Sequence, residues 1–412
     1  MTARRVAITA RSVFPIHGPG GLERSVYDLA RHLARQGVAV TLITRSPAEA
    51  VEPGAVDPGV SLVFVPYRTF PFAGRRGTTV IDRSTAYPLF GARAGAVAAA
   101  MVERGEVDIV HGFGASVLGY ARRRAGLVAP LILNPQGLEE FGATDPSRAG
   151  LKRVAYLPLR RAVLACAAAA DAVIATDRSL IPAVRRHLGV SDTKIATIPN
   201  ALDLAEVDSL AGPAEAVRSR QNAAITEDEV VLLTVGRLEE NKGFHVLAQA
   251  LAGLREHSGR LAQGAWRWVI VGGGPFRARL EALIGELQLD AHVVFAGKLP
   301  DRELHAWYEA ADLFVHPTLY EGSSLVTLEA MAHRRACVVT DAGGLPDKVK
   351  NGVNGWIVPA GDPAALAAAI SGALEDRGHL ARMGEAGRGI VEREFSWESA
   401  IRETLRLYER LL

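Results

Sequence analysis

Short apolar runs recur along this chain, each followed by a stretch with helical periodicity, and this alternation restricts the fold more than any other feature. Val6–Ala10, Val38–Ile43, Ser61–Val65, Ile109–His111, Leu131–Asn134 and Ala172–Thr176 read as strands in the first half. Val230–Val235, Trp268–Val271, Val293–Ala296, Leu313–His316 and Ala336–Thr340 continue the series. Between them, Leu22–Gln36 places Leu22, Val26, Leu29, Ala30 and Leu33 on one helical face, and Gly37 is a stop signal. Further helical patterns fall at about 92–104, 116–125 and 149–169, then at Phe244–His257, Phe276–Gln288, Arg302–Ala311, Leu325–Ala332 and Pro363–Leu374. Strands alternating with helices imply parallel sheets covered by helices on both faces, an α/β architecture.

A chain of 412 residues exceeds one ordinary domain of ~100–200 residues, so two doubly wound domains are expected. The joint falls near Pro199–Asp203, where a strand ends in Pro-Asn, giving domains at 1–203 and 204–396. Ala211–Ala224 reads as a connector or a peripheral helix. Ligands in such sheets bind at the carboxyl ends of the strands, and two domains facing each other form a cleft suited to a ligand.

Several function classes are disfavoured. Cys166 and Cys337 cannot build a disulfide framework and have no CxxC or zinc-spaced His partner, so both read as core residues in a reducing compartment. The apolar run after Arg5 is too short for a signal peptide, and no run approaches the ~20 residues of a membrane span. A cytoplasmic location is therefore expected. The net charge is +2, but residues 1–203 carry a balance of +9 and the remainder −7, so the halves are expected to meet different partners. Nucleic acid fits poorly, because the chain is near neutral and has no recognised binding motif.

The segment Glu321-Gly-Ser-Ser-Leu-Val-Thr-Leu-Glu329 follows one strand and opens a helix. The amides of Gly322, Ser323 and Ser324 would sit at the positive helix end, with Leu325 as the first helical residue. Two readings stand: acidic groups accepting from sugar and ribose hydroxyls, or a capping carboxylate and a solvated glutamate. Gly236-Arg-Leu-Glu-Glu-Asn-Lys-Gly243 follows another strand, and Arg237 and Lys242 there are two cations able to clamp a diphosphate. Gly18-Pro-Gly-Gly21 resembles a phosphate loop but matches neither G-x-G-x-x-G nor the P-loop. Gly272-Gly273-Gly274 is an equally weak signal. His111 ends a strand at the ligand pole, where it is either structural or a donor to a sugar hydroxyl. His316 is a weaker candidate of the same kind.

Taken together, these segments resemble the retaining GT-B glycosyltransferases of family four, the group 1 glycosyl transferases. Glu321–Glu329 followed by Ala330-Met331-Ala332 looks like the E-x7-E signature, and Gly236–Gly243 like the GR-x4-KG loop. Gly20-Gly21-Leu22-Glu23-Arg24 resembles the glycine-rich start of the first helix. Ile198-Pro-Asn-Ala-Leu-Asp203 resembles the IPNGVD entry to the second domain. The resemblance implies the GT-B fold, with two Rossmann-like domains across a cleft and a last helix, Trp397–Leu412, packed back on the first. It implies transfer of a sugar from a nucleotide-diphosphate sugar to a hydroxyl. Arg237 and Lys242 would bind the diphosphate, Glu321 and nearby amides the sugar, and Glu329 the ribose. Gly20 and Gly21 would approach the phosphate, His111 would contact the sugar, and Gly297 and Lys298 would read the base. Glu321-Gly-Ser-Ser departs from the family's E-G-F-G, and Ala201 replaces a glycine, so the sugar is left open.

No Asp-x-Asp occurs, so metal-independent transfer is expected, with no metal site and no cofactor beyond the nucleotide-diphosphate sugar co-substrate. The acceptor is expected to be a sugar, a lipid-linked molecule or a small molecule. Arg75-Arg76, Arg122–Arg124, Lys152-Arg153 and Arg160-Arg161 make the first domain basic, a pattern compatible with peripheral contact at an anionic inner membrane face or with a plain solvated surface. The competing readings are a nucleotide-sugar epimerase on the same scaffold and a non-catalytic nucleotide-sugar-binding protein.

Overall fold

A computed structural model describes residues 4–18, 20–52, 54–68, 78–135, 138–141, 154–254 and 265–412. The chain forms two compact units, one of Met1–Asn200 with Trp397–Leu412 and one of Ala201–Ser396. Each contains a wholly parallel sheet with helices on its faces.

The first sheet has β1 (Arg5–Thr9), β2 (Ala39–Arg45), β3 (Val60–Val65), β4 (Ile109–Phe113), β5 (Leu131–Asn134), β6 (Ala172–Ala175) and β7 (Ile195–Thr197). Their order is β3-β2-β1-β4-β5-β6-β7. The second has β8 (Val230–Val235), β9 (Trp266–Val271), β10 (Val293–Gly297), β11 (Leu313–His316), β12 (Ala336–Thr340) and β13 (Gly355–Val358), ordered β10-β9-β8-β11-β12-β13. Both orders reverse direction once, between β1 and β4 and between β8 and β11. The loops that leave the carboxyl ends there diverge and open a crevice, which is where ligands sit in such sheets.

The central strands are buried on both faces, and that explains their uninterrupted apolar runs. Cys166 and Cys337 lie inside the two cores. The last helix, Trp397–Leu411, belongs to the first unit. Tyr408 bonds His111 at 2.9 Å, Trp397 stacks on His32, and Arg4 pairs with Glu409 at 2.8 Å.

The helix expected at 92–104 extends over Thr78–Glu103, with Pro88 inside it. Pro88 and Gly91 read as breakers, but the helix gains from close packing. A Cβ on Gly91 would stand 1.8 Å from the Ala115 carbonyl oxygen, and one on Gly119 would stand 2.0 Å from that of Ala92. Only hydrogen fits at either position. The pattern at 116–125 splits into a short 3-10 turn, Gly114–Val117, and the single helical turn Leu118–Ala121. Helices Ile181–Leu188, Leu204–Leu210 and Arg377–Glu394 carry no expectation from the sequence. The expected basic clusters Arg75-Arg76 and Lys152-Arg153 lie outside the described residues. Among those described, Arg124 is structural, bonded to Asp171 at 2.8 Å, and Arg160 lies over the Phe141 ring. No helix among the described residues is long and apolar enough to cross a membrane.

One device recurs in both sheets. Asp171, just before β6, accepts from the Leu131 amide at 2.7 Å and from Arg124. Asp312, just before β11, accepts from the Val231 amide at 2.8 Å and from Arg220 at 2.8 Å. Asp312→Ala would leave the Val231 N–H without its acceptor and is expected to destabilise the chain by about 2 kcal/mol. Urea unfolding of the two proteins measures this; an unchanged midpoint would show that the aspartate does not hold the strands.

Candidate functional site

The second sheet's order reversal places two loops side by side. The loop after β8 is tied to β9 and its following loop by Gly236 N–H to the Val271 carbonyl at 3.0 Å and Leu238 N–H to the Gly273 carbonyl at 3.2 Å. The loop after β11 joins the first through Leu319 N–H to the Asn241 carbonyl at 2.8 Å, and the Thr318 hydroxyl bonds the same carbonyl at 3.2 Å. Gly243 has φ +69°, and a Cβ there would lie 1.9 Å from the Pro317 carbonyl oxygen. The glycine closing the Gly236–Gly243 loop is thus required by this close approach.

The juxtaposition brings two side chains and a backbone amide onto one carboxylate. Glu321 Oε2 accepts from Lys242 Nζ at 2.8 Å and from His316 Nε2 at 2.8 Å, and Oε1 accepts from the Gly322 amide at 3.1 Å. An ionised carboxylate can only accept, so the His316 tautomer carries its proton on Nε2. Burial pushes the Glu321 carboxyl up, but the His316 hydrogen bond and the Lys242 charge outweigh it, and the group is held far below the usual carboxylate range. Burial also holds His316 below its ordinary value, against the opposing pull of Glu321. At neutral pH the cluster is an ammonium, a neutral imidazole and a carboxylate.

The loop continues into the helix Leu325–Ala332. Ser324 is its N-cap, its Oγ accepting from the Thr327 amide at 3.3 Å. The first-turn amides have no acceptor within the helix, so this end presents donors and partial positive charge. A second glycine supports the loop from β12: Gly343 has φ +55°, and a Cβ there would stand 1.8 Å from the Glu321 carbonyl oxygen. Gly344 N–H donates to the Gly322 carbonyl at 3.0 Å.

Three residues that sequence reasoning passed over also shape this end. Lys348 is fully buried and donates to Ser323 Oγ at 3.2 Å and to the Gly344 carbonyl at 3.3 Å. Its register with Leu345, three positions earlier on one helical turn, was the available signal for burial. Tyr308 donates its hydroxyl to Glu329 Oε2 at 2.7 Å. Asn241 supplies the carbonyl that joins the two loops.

The expected residues therefore divide. Lys242, Glu321, Gly322 and His316 converge; Ser323, Ser324 and Leu325 begin the adjoining helix. Glu329 is held by the Tyr308 hydroxyl. Arg237 is 77% exposed and paired with Glu239 at 2.8 Å. Gly297 ends β10 with φ +74°, and a Cβ on Gly273 would lie 3.3 Å from the Lys298 side chain.

In the first unit, Gly20 precedes the helix Gly21–Arg35, and the Glu23 carboxylate lies over it, 2.0 Å from where a Cβ on Gly20 would stand. His111 lies within β4, is 1% exposed, and shares a hydrogen bond at Nδ1 with Tyr408. Its Nε2 is buried without a partner, and burial pushes its pKa down to about 3. It is a neutral imidazole at physiological pH.

Comparison with known proteins shows what the whole chain is similar to. Residues 217–390 match the family described as glycosyl transferases group 1, and residues 19–206 match glycosyltransferase family 4. A D-inositol 3-phosphate glycosyltransferase of Acidothermus cellulolyticus is 30% identical, covering 100% of this chain and 91% of that one. One from Xylanimonas cellulosilytica is 29% identical over 98% of this chain and 96% of its own length. Among solved structures, sucrose-phosphate synthase from Thermosynechococcus elongatus superposes with a TM-score of 0.78 at 23% identity, covering 99% of both chains. Anabaena HepE in complex with UDP gives 0.72 at 20% identity, covering 100% of this chain and 99% of that one.

The buried imidazole of His111 has a pH consequence. Its folded pKa is depressed from 6.5 to about 3, so the unfolded chain takes up a proton in that window and the folded chain does not. The stability it contributes is present above pH 6.5 and is lost as pH falls toward 3. His111→Asn is expected to flatten the slope of unfolding free energy between pH 6 and 4 by up to ~1.4 kcal/mol per pH unit. Urea titrations at stepped pH measure it; equal slopes in both proteins would mean that His111 titrates normally when folded.

Proposed function

The chain belongs to the group 1 glycosyl transferases of family four, and from that membership we propose that it moves a sugar from a nucleotide-diphosphate sugar to a hydroxyl acceptor, with retention of configuration and without a metal ion. It is a glycosyltransferase of the GT-B class. The observation that carries the donor assignment is the convergence of Lys242, His316 and Glu321 on the loop before helix Leu325–Ala332, at the order reversal of the second sheet.

Lys242 has two further N–H groups beside the one given to Glu321, and it neutralises the diphosphate as the sugar departs. Arg237 adds a second cation from the same loop. The first-turn amides of the helix stabilise the same negative charge. Glu321, held ionised by two donors, accepts from sugar hydroxyls. Glu329, oriented by Tyr308, accepts from the ribose, and Gly297 and Lys298 lie toward the base. With its Oε2 already engaged by Lys242 and His316, Glu321 is a hydrogen-bond acceptor and not a covalent nucleophile. Support for the nucleotide-sugar donor also comes from HepE, solved in complex with UDP and with UDP-glucose. Retention rests on the family. Metal independence rests on the cations and helix amides that take a metal's electrostatic role. The first half, residues 1–203, where the charge balance is +9, takes the acceptor.

A thermal-shift screen of nucleotide-sugars tests the donor. At ~100 times its dissociation constant a donor adds about 2.7 kcal/mol of stability. Lys242→Ala is expected to lose most of that gain; because it also strands the buried Glu321 carboxylate, its unliganded melting temperature is expected to fall, and the gain is read against the variant's own unliganded baseline. A full shift in the variant would overturn the diphosphate assignment. Turnover is expected to survive EDTA; loss of activity restored by magnesium would overturn the metal-independent reading.

A further inference from the structure

The carboxyl edge of the first sheet carries a cationic site of its own, at the ends of β1 and β2. Arg11 lies two residues beyond β1, and Arg45 is the last residue of β2, so both side chains issue from the carboxyl edge. Arg11 lies over the Tyr87 ring, its guanidinium carbon 5.1 Å from the centroid. Arg45 lies over the Tyr67 ring at 5.7 Å. Each ring is fixed in turn. The Tyr87 hydroxyl donates to the Phe113 carbonyl at the end of β4 at 2.8 Å, and the Tyr67 hydroxyl donates to Asp82 at 2.8 Å. Both guanidiniums are half-buried.

Neither has a carboxylate partner among the described residues, and Arg11 also acts on the Tyr67 hydroxyl, whereas other partly buried arginines of this unit pair with carboxylates. Arg124 bonds Asp171, and Arg31 bonds Asp28. Arg45 Nε is buried and unpartnered. The neighbouring His17 accepts from the Val13 amide at Nδ1 and donates from Nε2 to the Arg45 carbonyl at 3.0 Å, so it is neutral and adds no counter-charge. Glu23 and Asp82 act on Arg45 only through their fields. Burial, followed by the repulsion of Arg11, makes the Arg45 guanidinium easier to deprotonate than an ordinary one. Two like charges held near each other by aromatic stacking, one of them with a buried, unpartnered Nε–H, are costly unless an anion joins them.

We propose that Arg11 and Arg45 bind the phosphate of a phosphomonoester acceptor. This rests on the glycosyltransferase reading above and names its acceptor class. A phosphomonoester carries about −1.5 to −2 charges at pH 7, which matches two guanidiniums. A carboxylate would leave one cation uncompensated. The guanidinium fork suits the tetrahedral oxygens, and the Tyr67 and Tyr87 rings hold the forks in place before the ligand arrives.

The test is calorimetric titration of the full chain with inorganic phosphate, against sodium chloride at equal ionic strength. The wild type is expected to show saturable binding. Arg11→Gln and Arg45→Gln are each expected to weaken it about tenfold or more, with Arg45→Lys falling between. Circular dichroism melts establish that the variants are folded. Lys242→Ala is expected to leave phosphate binding intact. Glucose 6-phosphate is expected to compete with phosphate, and glucose is not. Unchanged affinity in both glutamine variants would overturn the proposal, as would loss of phosphate binding in Lys242→Ala alone, which would place the anion at the nucleotide site. Capture by phosphatidic acid vesicles with no competition from glucose 6-phosphate would overturn it in favour of a lipid headgroup. The donor reading fails separately: a wild type that binds phosphate through Arg11 and Arg45 but shows no shift with any nucleotide-sugar would refute the donor and keep the anion site.

Discussion

A carboxylate with little access to water stays ionised only where cations and hydrogen-bond donors converge on it, and Glu321 sets the terms for everything at the carboxyl edge of the second sheet. Its Oε2 takes two donors from two different elements, Lys242 on the loop after β8 and His316 at the end of β11. Lys242 reaches it only because the two loops lie against each other, and the loops lie so close only because Gly243 has no Cβ to strike the Pro317 carbonyl. Gly343 does the same service from β12. Removing a partner from a buried charge costs more than the pair itself contributes, so the glycines and the ion pair constrain one another. The backbone conformation of three loops is thereby fixed to suit one side chain.

The first sheet has the same topology and solves a different electrostatic problem. Its carboxyl edge gathers two arginines, Arg11 and Arg45, with no carboxylate partner among the described residues, and aromatic faces hold them in place. Cation–π contacts orient a guanidinium without neutralising it. The charge asymmetry between the two halves thus has a local expression: an anchored carboxylate beside its cations in one sheet, and uncompensated cations in the other.

Much of this was legible in the sequence, and the reason is spacing. Glu321–Glu329 and Gly236–Gly243 each lie within one strand–loop–helix unit, so their geometry follows from local structure. The core strands announced themselves because burial on both faces demands continuous apolar runs. Long-range placement was not legible. Tyr308 meets Glu329 across two helices, and Lys348 bonds Ser323 from the helical turn Leu345–Lys348; neither partner can be read from neighbours in sequence. The Thr78–Glu103 helix was truncated in the reading because Pro88 and Gly91 are local breakers, while their compensation, close contact with Gly114–Ala121, is tertiary. Short helices such as Leu204–Leu210 carry too few turns to show a period.

Arg237 and Lys242 show how far burial separates residues that look alike in a motif. Both are cations five positions apart on one loop, and on the donor-binding reading both serve the same diphosphate. Arg237 is solvent-exposed and paired with Glu239, an interaction weakened by water and salt. An arriving diphosphate offers more charge and a better fork geometry, so Arg237 exchanges partners at little cost. Lys242 is mostly buried and cannot abandon Glu321 without stranding a carboxylate in a poorly hydrated site. It does not have to, since an ammonium has three donors and Glu321 takes one. On the proposed donor reading, Lys242 would bind the diphosphate while remaining paired, and Glu321 would be carried into the same site as a consequence.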